Sequence, residues 1–212
     1  MKRLLASLMA CIGLISCGTV ADEDSAFGQA FATLSGNEEF HPRFLNLLAL
    51  EAPAIQVGFI ERESNGTLLL ERQSGAHQFW IGPDGAQIIL EDGILNGTRG
   101  LGEGLLASEL SQTLARVRGL QPGPTERFHT YLDGTDRAVT RTYNCMLSLA
   151  GANAVALRGQ VVMAELIRED CNSLDEQFTN IYWVTLDERK IVQSRQWAGP
   201  FVGNISTRII PQ

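Results

Sequence analysis

Beyond Ile15 the chain carries no second long apolar run, so nothing downstream has the length to cross a bilayer as a helix. Histidine is scarce, and His41, His77 and His129 stand apart with no close cysteine pair beside them. That spacing leaves out the common metal-ligand patterns, and each histidine reads as a surface or strand residue. There is no Gly-x-Ser-x-Gly elbow and no His-Glu-x-x-His pair. Gly100-Leu101-Gly102-Glu103-Gly104 lacks the lysine and the strand-to-helix setting of a phosphate loop. Basic residues are outnumbered, 17 against 24 acidic, for a net charge of −7. Such a balance argues against charge-driven binding to nucleic acid or to an anionic membrane face.

What is present begins at the N-terminus. Lys2 and Arg3 precede an almost unbroken apolar stretch, Leu4 to Ile15, of signal-peptide length. Leu14-Ile15-Ser16-Cys17 then resembles the bacterial lipobox, in which the cysteine thiol is acylated and the chain is cut before it. Residues 1–16 therefore read as a lipoprotein signal peptide and Cys17 as the lipidated residue, with fatty acid such as palmitate as the covalent group and no other cofactor. An ordinary cleaved signal peptide with two incidental cysteines, Cys11 and Cys17, is the alternative. Several acyl chains together hold a protein to a membrane almost irreversibly. Residues 17–39 read as the lipidated N-terminus and a polar tether, and 40–212 as a single domain. Gly18, rather than Asp, follows the cysteine, which favours the outer membrane, with the domain facing the periplasm.

Removing residues 1–16 takes the basic count from 17 to 15 against 24 acidic, a net of −9. Of the four cysteines, Cys11 leaves with the signal and Cys17 carries lipid, so Cys145 and Cys171 remain. Two thiols in an oxidising compartment predict one disulfide; a pair of buried free thiols is the alternative.

The spacing of Phe40, Phe44, Leu47 and Leu48 predicts a short amphipathic helix over 40–51. The dipeptides Asn65-Gly66, Asp84-Gly85, Asp92-Gly93, Asn96-Gly97 and Asp133-Gly134 then punctuate short apolar runs, the signature of an antiparallel meander. Strands are predicted at 54–62, 67–73, 77–82, 86–91 and 94–98. A helical stripe of Leu106, Leu110, Leu114 and Val117 follows, stopping at Gly119. Further strands are predicted at 126–132, 138–149, 155–168, 177–187, 190–198 and 205–210. Alternation puts Cys145 on the core face with Tyr143 and Leu147. A hairpin turning near Gly151-Ala152-Asn153 would set Cys145 opposite a residue near Gln160, so a disulfide to Cys171 requires a different course. About ten antiparallel strands in one domain imply a mainly β fold, an antiparallel meander closing into a barrel or half-barrel with one or two short helices. A two-sheet sandwich is the alternative.

Five stretches go beyond pattern: Phe79-Trp80-Ile81-Gly82-Pro83-Asp84-Gly85-Ala86, Asp92-Gly93-Ile94, Thr98-Arg99-Gly100-Leu101, Phe178-Thr179-Asn180-Ile181-Tyr182-Trp183-Val184 and Ser194-Arg195-Gln196-Trp197-Ala198-Gly199-Pro200. In order and spacing they resemble the YjbF/GfcB family of outer-membrane lipoproteins over roughly residues 40–205. The resemblance implies a periplasm-facing β-rich domain that serves production or export of exopolysaccharide or group 4 capsule. It also implies an outer-membrane β-barrel of the YjbH/GfcD type as partner, with a periplasmic GfcC-type protein and polysaccharide as further contacts. It carries no catalytic residue to this chain.

Trp80, Trp183 and Trp197 can stack on sugar rings or meet a partner, though core packing is the commoner role of a tryptophan. In strand 177–187, Phe178, Asn180, Tyr182 and Val184 share one face, so Trp183 lies on the other. Asn180 is then an inward polar group that needs a partner. Glu165 is the charge in an otherwise apolar strand, read as solvent-facing. The function that fits is a non-catalytic accessory lipoprotein. The alternatives are a lipid or lipoprotein carrier, which needs an apolar cavity, and a polysaccharide-modifying enzyme, which needs converging carboxylates beside the tryptophans.

Overall fold

The computed structural model describes residues 40–135 and 137–211. The expected signal peptide, the expected lipidation site Cys17 and the expected tether lie outside the described residues. The described residues form twelve strands in one antiparallel sheet: β1 (Ala54–Phe59), β2 (Ser64–Ser74), β3 (His77–Ile81), β4 (Gln87–Glu91), β5 (Ile94–Arg99), β6 (Leu105–Glu109), β7 (Gly123–Leu132), β8 (Ala138–Leu157), β9 (Gln160–Asn172), β10 (Gln177–Thr185), β11 (Ile191–Trp197) and β12 (Asn204–Ile209). Among the described residues two α-helices accompany them, α1 (Pro42–Ala49) and α2 (Ser111–Gly119). Every ladder joins strands adjacent in sequence except β1–β12, which fuses the meander β1–β5 to the meander β6–β12. The sheet curls into a nearly closed barrel, the first of the two expected architectures.

The two edge strands, β5 and β6, meet at a seam made by side chains. Asn96 Nδ2 donates to Ser108 O (3.1 Å), Thr98 Oγ1 to Leu105 O (3.4 Å) and Arg99 Nη1 to Leu106 O (3.1 Å). From the opposite wall, Gln196 on β11 accepts from Leu95 N–H (2.7 Å) and donates to Gly93 O (2.9 Å). These bonds occupy backbone groups that an edge strand otherwise leaves unpaired. Gly97 permits the approach, since a Cβ there would lie 3.1 Å from Leu106 O and 3.3 Å from Leu105 O.

Inward positions alternate with outward ones, as on β7, where Thr125, Arg127, His129 and Tyr131 are buried while Glu126 and Phe128 are exposed. One half of the interior is apolar, built from Ile55, Val57, Leu68, Trp80, Ile88, Leu90 and neighbours. In the other half α2 packs Leu114 and Val117 against Leu147, Ile167, Tyr182 and Val184. Outside, α1 seats Phe44 on Leu69 and Ile81.

Several expectations are corrected. The stripe from Leu106 to Val117 is not one helix: residues 105–109 form β6, and only Leu110, Leu114 and Val117 act as a helical face. Asn65-Gly66 and Asn96-Gly97 lie within β2 and β5, while Asp84-Gly85, Asp92-Gly93 and Asp133-Gly134 fall between strands. The β1–β2 reversal is instead a single 3-10 turn, Ile60–Arg62, closed by left-handed Glu63. The β8–β9 hairpin turns at Arg158-Gly159, because Gly151 (φ +94) is absorbed as a bulge between Leu149 and Ala152. Glu165 is half-buried and accepts the freed Gly151 N–H at 2.8 Å, so it serves the bulge and is not simply a solvent-facing charge.

Candidate functional site

The later turn sets the β8–β9 register so that Cys145 pairs directly with Cys171. The two are joined by a disulfide across adjacent strands, both side chains buried against Tyr143 and Phe178. Phe178 in turn stacks on Trp197, ring centroids 5.9 Å apart, and on His129 at 5.6 Å.

Beside this cluster the barrel interior holds a closed polar network. Glu169 on β9 is 0% exposed and Arg127 on β7 is 1% exposed. Arg127 Nε lies 3.1 Å from Glu169 Oε1, which also accepts from Thr113 Oγ1 of α2 at 2.9 Å. Glu169 Oε2 accepts from Asn180 Nδ2 and Tyr182 OH, both at 2.8 Å. Asn180 Oδ1 accepts the Trp197 backbone N–H at 2.8 Å, so both ends of the inward amide are hydrogen-bonded. Burial works against the Arg127 charge, yet attraction to Glu169 and the Tyr182 hydroxyl outweighs it and holds the guanidinium above its ordinary pKa.

His129 sits next in line, its Nε2 3.4 Å from Arg127 Nη1 and its Nδ1 2.9 Å from Tyr131 OH. Burial, and then the Arg127 charge, push its pKa well below 6.5, so the imidazole is neutral. Arg127 can only donate, which places the imidazole proton on Nδ1, directed at Tyr131. Burial raises the Tyr131 pKa, and burial together with a hydrogen bond to Glu176 pushes Tyr143 up to about 12. All these groups are matched to one another inside the barrel, an arrangement that ties β7, β9, β10 and α2 together. Cys145, Cys171 and Glu169 lie close enough to share a metal ion. With both sulfurs in the disulfide and the carboxylate hydrogen-bonded four ways, that trio has no free thiolate to offer.

The three tryptophans do not converge. Trp197 belongs to the Phe178 cluster. Trp183 lies on the opposite face of β10 from Tyr182, half-buried against Val155, Leu157, Ala164 and Val192 beside the β8–β9 hairpin. Trp80 lines a cavity of ≈ 640 Å³ at the barrel end formed by the β2–β3, β4–β5 and β10–β11 turns. Arg118, Arg189, Lys190 and Arg208 surround this cavity, with Asp92 and Glu188 as the acidic members. Arg118 is ion-paired to Asp92, which fastens α2 to the β4–β5 turn. Sequence reading missed both Arg127–Glu169 and this basic mouth.

The architecture is that of a nearly closed antiparallel barrel whose interior is filled by side chains and a helix. It is shared with the crystal structure of the hypothetical lipoprotein YmcC from Escherichia coli (K12), at a TM-score of 0.67 and 20% identity, covering 75% of this chain and 86% of that one. Residues 27–210 match the YjbF family, described as "Group 4 capsule polysaccharide lipoprotein gfcB, YjbF", and the chain belongs to that family. No curated protein matches it. No helix among the described residues is long and apolar enough to cross a membrane.

The stretches that carry the family resemblance also build the interior. Asn180 and Tyr182 supply the network, Gln196 the cross-barrel bond, and Thr98 and Arg99 the seam.

Proposed function

We propose that this protein is a non-catalytic lipoprotein, held by acylated Cys17 to the periplasmic face of the outer membrane, that assists production or export of exopolysaccharide or capsule. Its partner in this reading is an outer-membrane β-barrel of the YjbH/GfcD type, with a GfcC-type protein and the polysaccharide as further contacts. The observation that carries the proposal is the family match over residues 27–210. Two features support it. The ionisable groups of the interior are sealed and compensated, which suits a scaffold. The β8–β9 hairpin, beyond its bulge, packs Val155 and Leu157 against Trp183 and Val192, while its other face leaves Ala154, Ala156, Val161 (69% exposed) and Met163 (51% exposed) in water. An exposed apolar ribbon on an otherwise acidic protein suits a docking surface.

A photo-crosslinking amino acid at Met163, activated in intact cells, tests the docking step. Capture of a large outer-membrane β-barrel is the expected result. Capture of soluble periplasmic proteins alone would contradict it.

A further inference from the structure

The mouth cavity gathers hydrogen-bonding groups that the fold itself does not use. Trp80 is 5% exposed, and its indole N–H is buried without an acceptor among the described residues. A buried donor left unpaired costs free energy, and Trp80 forms part of the cavity wall. Gln78 stands two residues earlier on the same face of β3, lines the same cavity, and has no hydrogen-bond partner for its amide among the described residues. At the rim, Arg189 and Lys190 in the β10–β11 turn are exposed and have no carboxylate partner among the described residues. Arg208 adds a third charge and is held by Gln193 Oε1 at 2.8 Å. The molecule as a whole carries a net charge of −7, so this cluster of cations runs against its own background.

The volume, ≈ 640 Å³, lies within the range of small-molecule sites. The walls between rim and floor are apolar at Leu90, Ile191 and Ile209. The ligand that answers this set has a compact body with apolar faces, several acceptors and a negative charge. An acyl chain leaves Gln78 and the rim unanswered. A neutral sugar answers the floor and not the rim.

We propose that the barrel mouth binds a carboxylate-bearing oligosaccharide, its acid groups on Arg189, Lys190 and Arg208 and a sugar ring in the cavity above Trp80. This deepens the polysaccharide reading given above and depends on it for the choice of a saccharide among organic anions.

The test is calorimetric titration of the purified full-length protein with tetragalacturonate, with maltotetraose and with dodecanoate. Tetragalacturonate should bind at least about tenfold more tightly than maltotetraose, and less tightly as salt is raised. The double substitution Arg189→Glu with Lys190→Glu should weaken it by about tenfold or more while leaving the thermal midpoint unchanged, since both side chains are exposed. Equal affinity for the acidic and neutral sugars, indifference to the rim substitutions, or preference for dodecanoate would each overturn the proposal. In cells the two readings separate. If the rim variant restores polysaccharide to a deletion strain as well as wild type does, the binding site falls and the accessory function stands.

Discussion

Arg127 and Glu169 form an ion pair, Nε to Oε1 3.1 Å, with both side chains inside the barrel and out of contact with water. The pair ties β7 to β9, and Thr113 and Tyr182 bring α2 and β10 to the same carboxylate. Desolvating two charges is expensive, and only a full set of hydrogen bonds offsets it. The worth of such a pair therefore shows when one member is lost.

Glu169→Gln leaves the Arg127 charge buried without its counter-ion and should destabilise the domain by about 3–5 kcal/mol. Replacing both residues by apolar side chains of similar volume should cost much less. Urea unfolding of the two variants checks this, and equal losses would show that the ion pair is not what matters at that position.

The neutral state of His129 gives stability a pH dependence. Its pKa is low in the folded protein and near 6.5 when unfolded, so below about pH 6.5 the unfolded chain takes up a proton that the folded chain refuses. Stability is therefore complete above that value and falls as acid is added, by up to about 1.4 kcal/mol per pH unit for this one group. His129→Gln should flatten that part of the curve when unfolding is measured from pH 7 to pH 5.

Cys145 and Cys171 close a loop with a sequence separation of 26. Loop-closure entropy gives such a crosslink about 3–4 kcal/mol. The paired substitution to serine should lower the urea midpoint accordingly, and dithiothreitol should lower wild type and leave the variant unmoved.

At the seam, Gly97→Val places a branched side chain against the carbonyls of Leu105 and Leu106. Overpacking of this kind costs about 1–3 kcal/mol, and here it should open β5 from β6. Faster hydrogen exchange of the Leu95 and Leu105 amides than in wild type is the expected signature.

Much of this fold was legible as period-two alternation. In β10 it placed Phe178, Asn180 and Tyr182 inward and Trp183 outward, as found. Buried charges were not legible by the same rule, because Arg and Glu are normally taken as outward markers. Arg127, His129 and Tyr131 do alternate on one face of β7, and Glu169 follows Ile167 with the same period, but a strand predicted to stop at Arg168 left it out. Only the pairing of β9 with β8 and β10 brings it to Asn180 and Tyr182, and that register depends on a bulge at Gly151 that reads locally as a turn. Asn96-Gly97 misleads for a similar reason. Its glycine answers a close approach across the seam, which is a tertiary demand invisible in the dipeptide. The basic mouth was hidden too, since Arg118, Lys190 and Arg208 are far apart in sequence and meet only where strands end on one rim.

The proposed function requires that acylated Cys17 hold the domain at the outer membrane for it to serve polysaccharide export. It is tested most directly by quantifying surface polysaccharide in a clean deletion strain complemented with wild type or with Cys17→Ala. The deletion should lower surface polysaccharide, wild type should restore it, and Cys17→Ala should accumulate away from the outer membrane and fail to restore it. Normal polysaccharide in the deletion strain, or full restoration by Cys17→Ala, would contradict it.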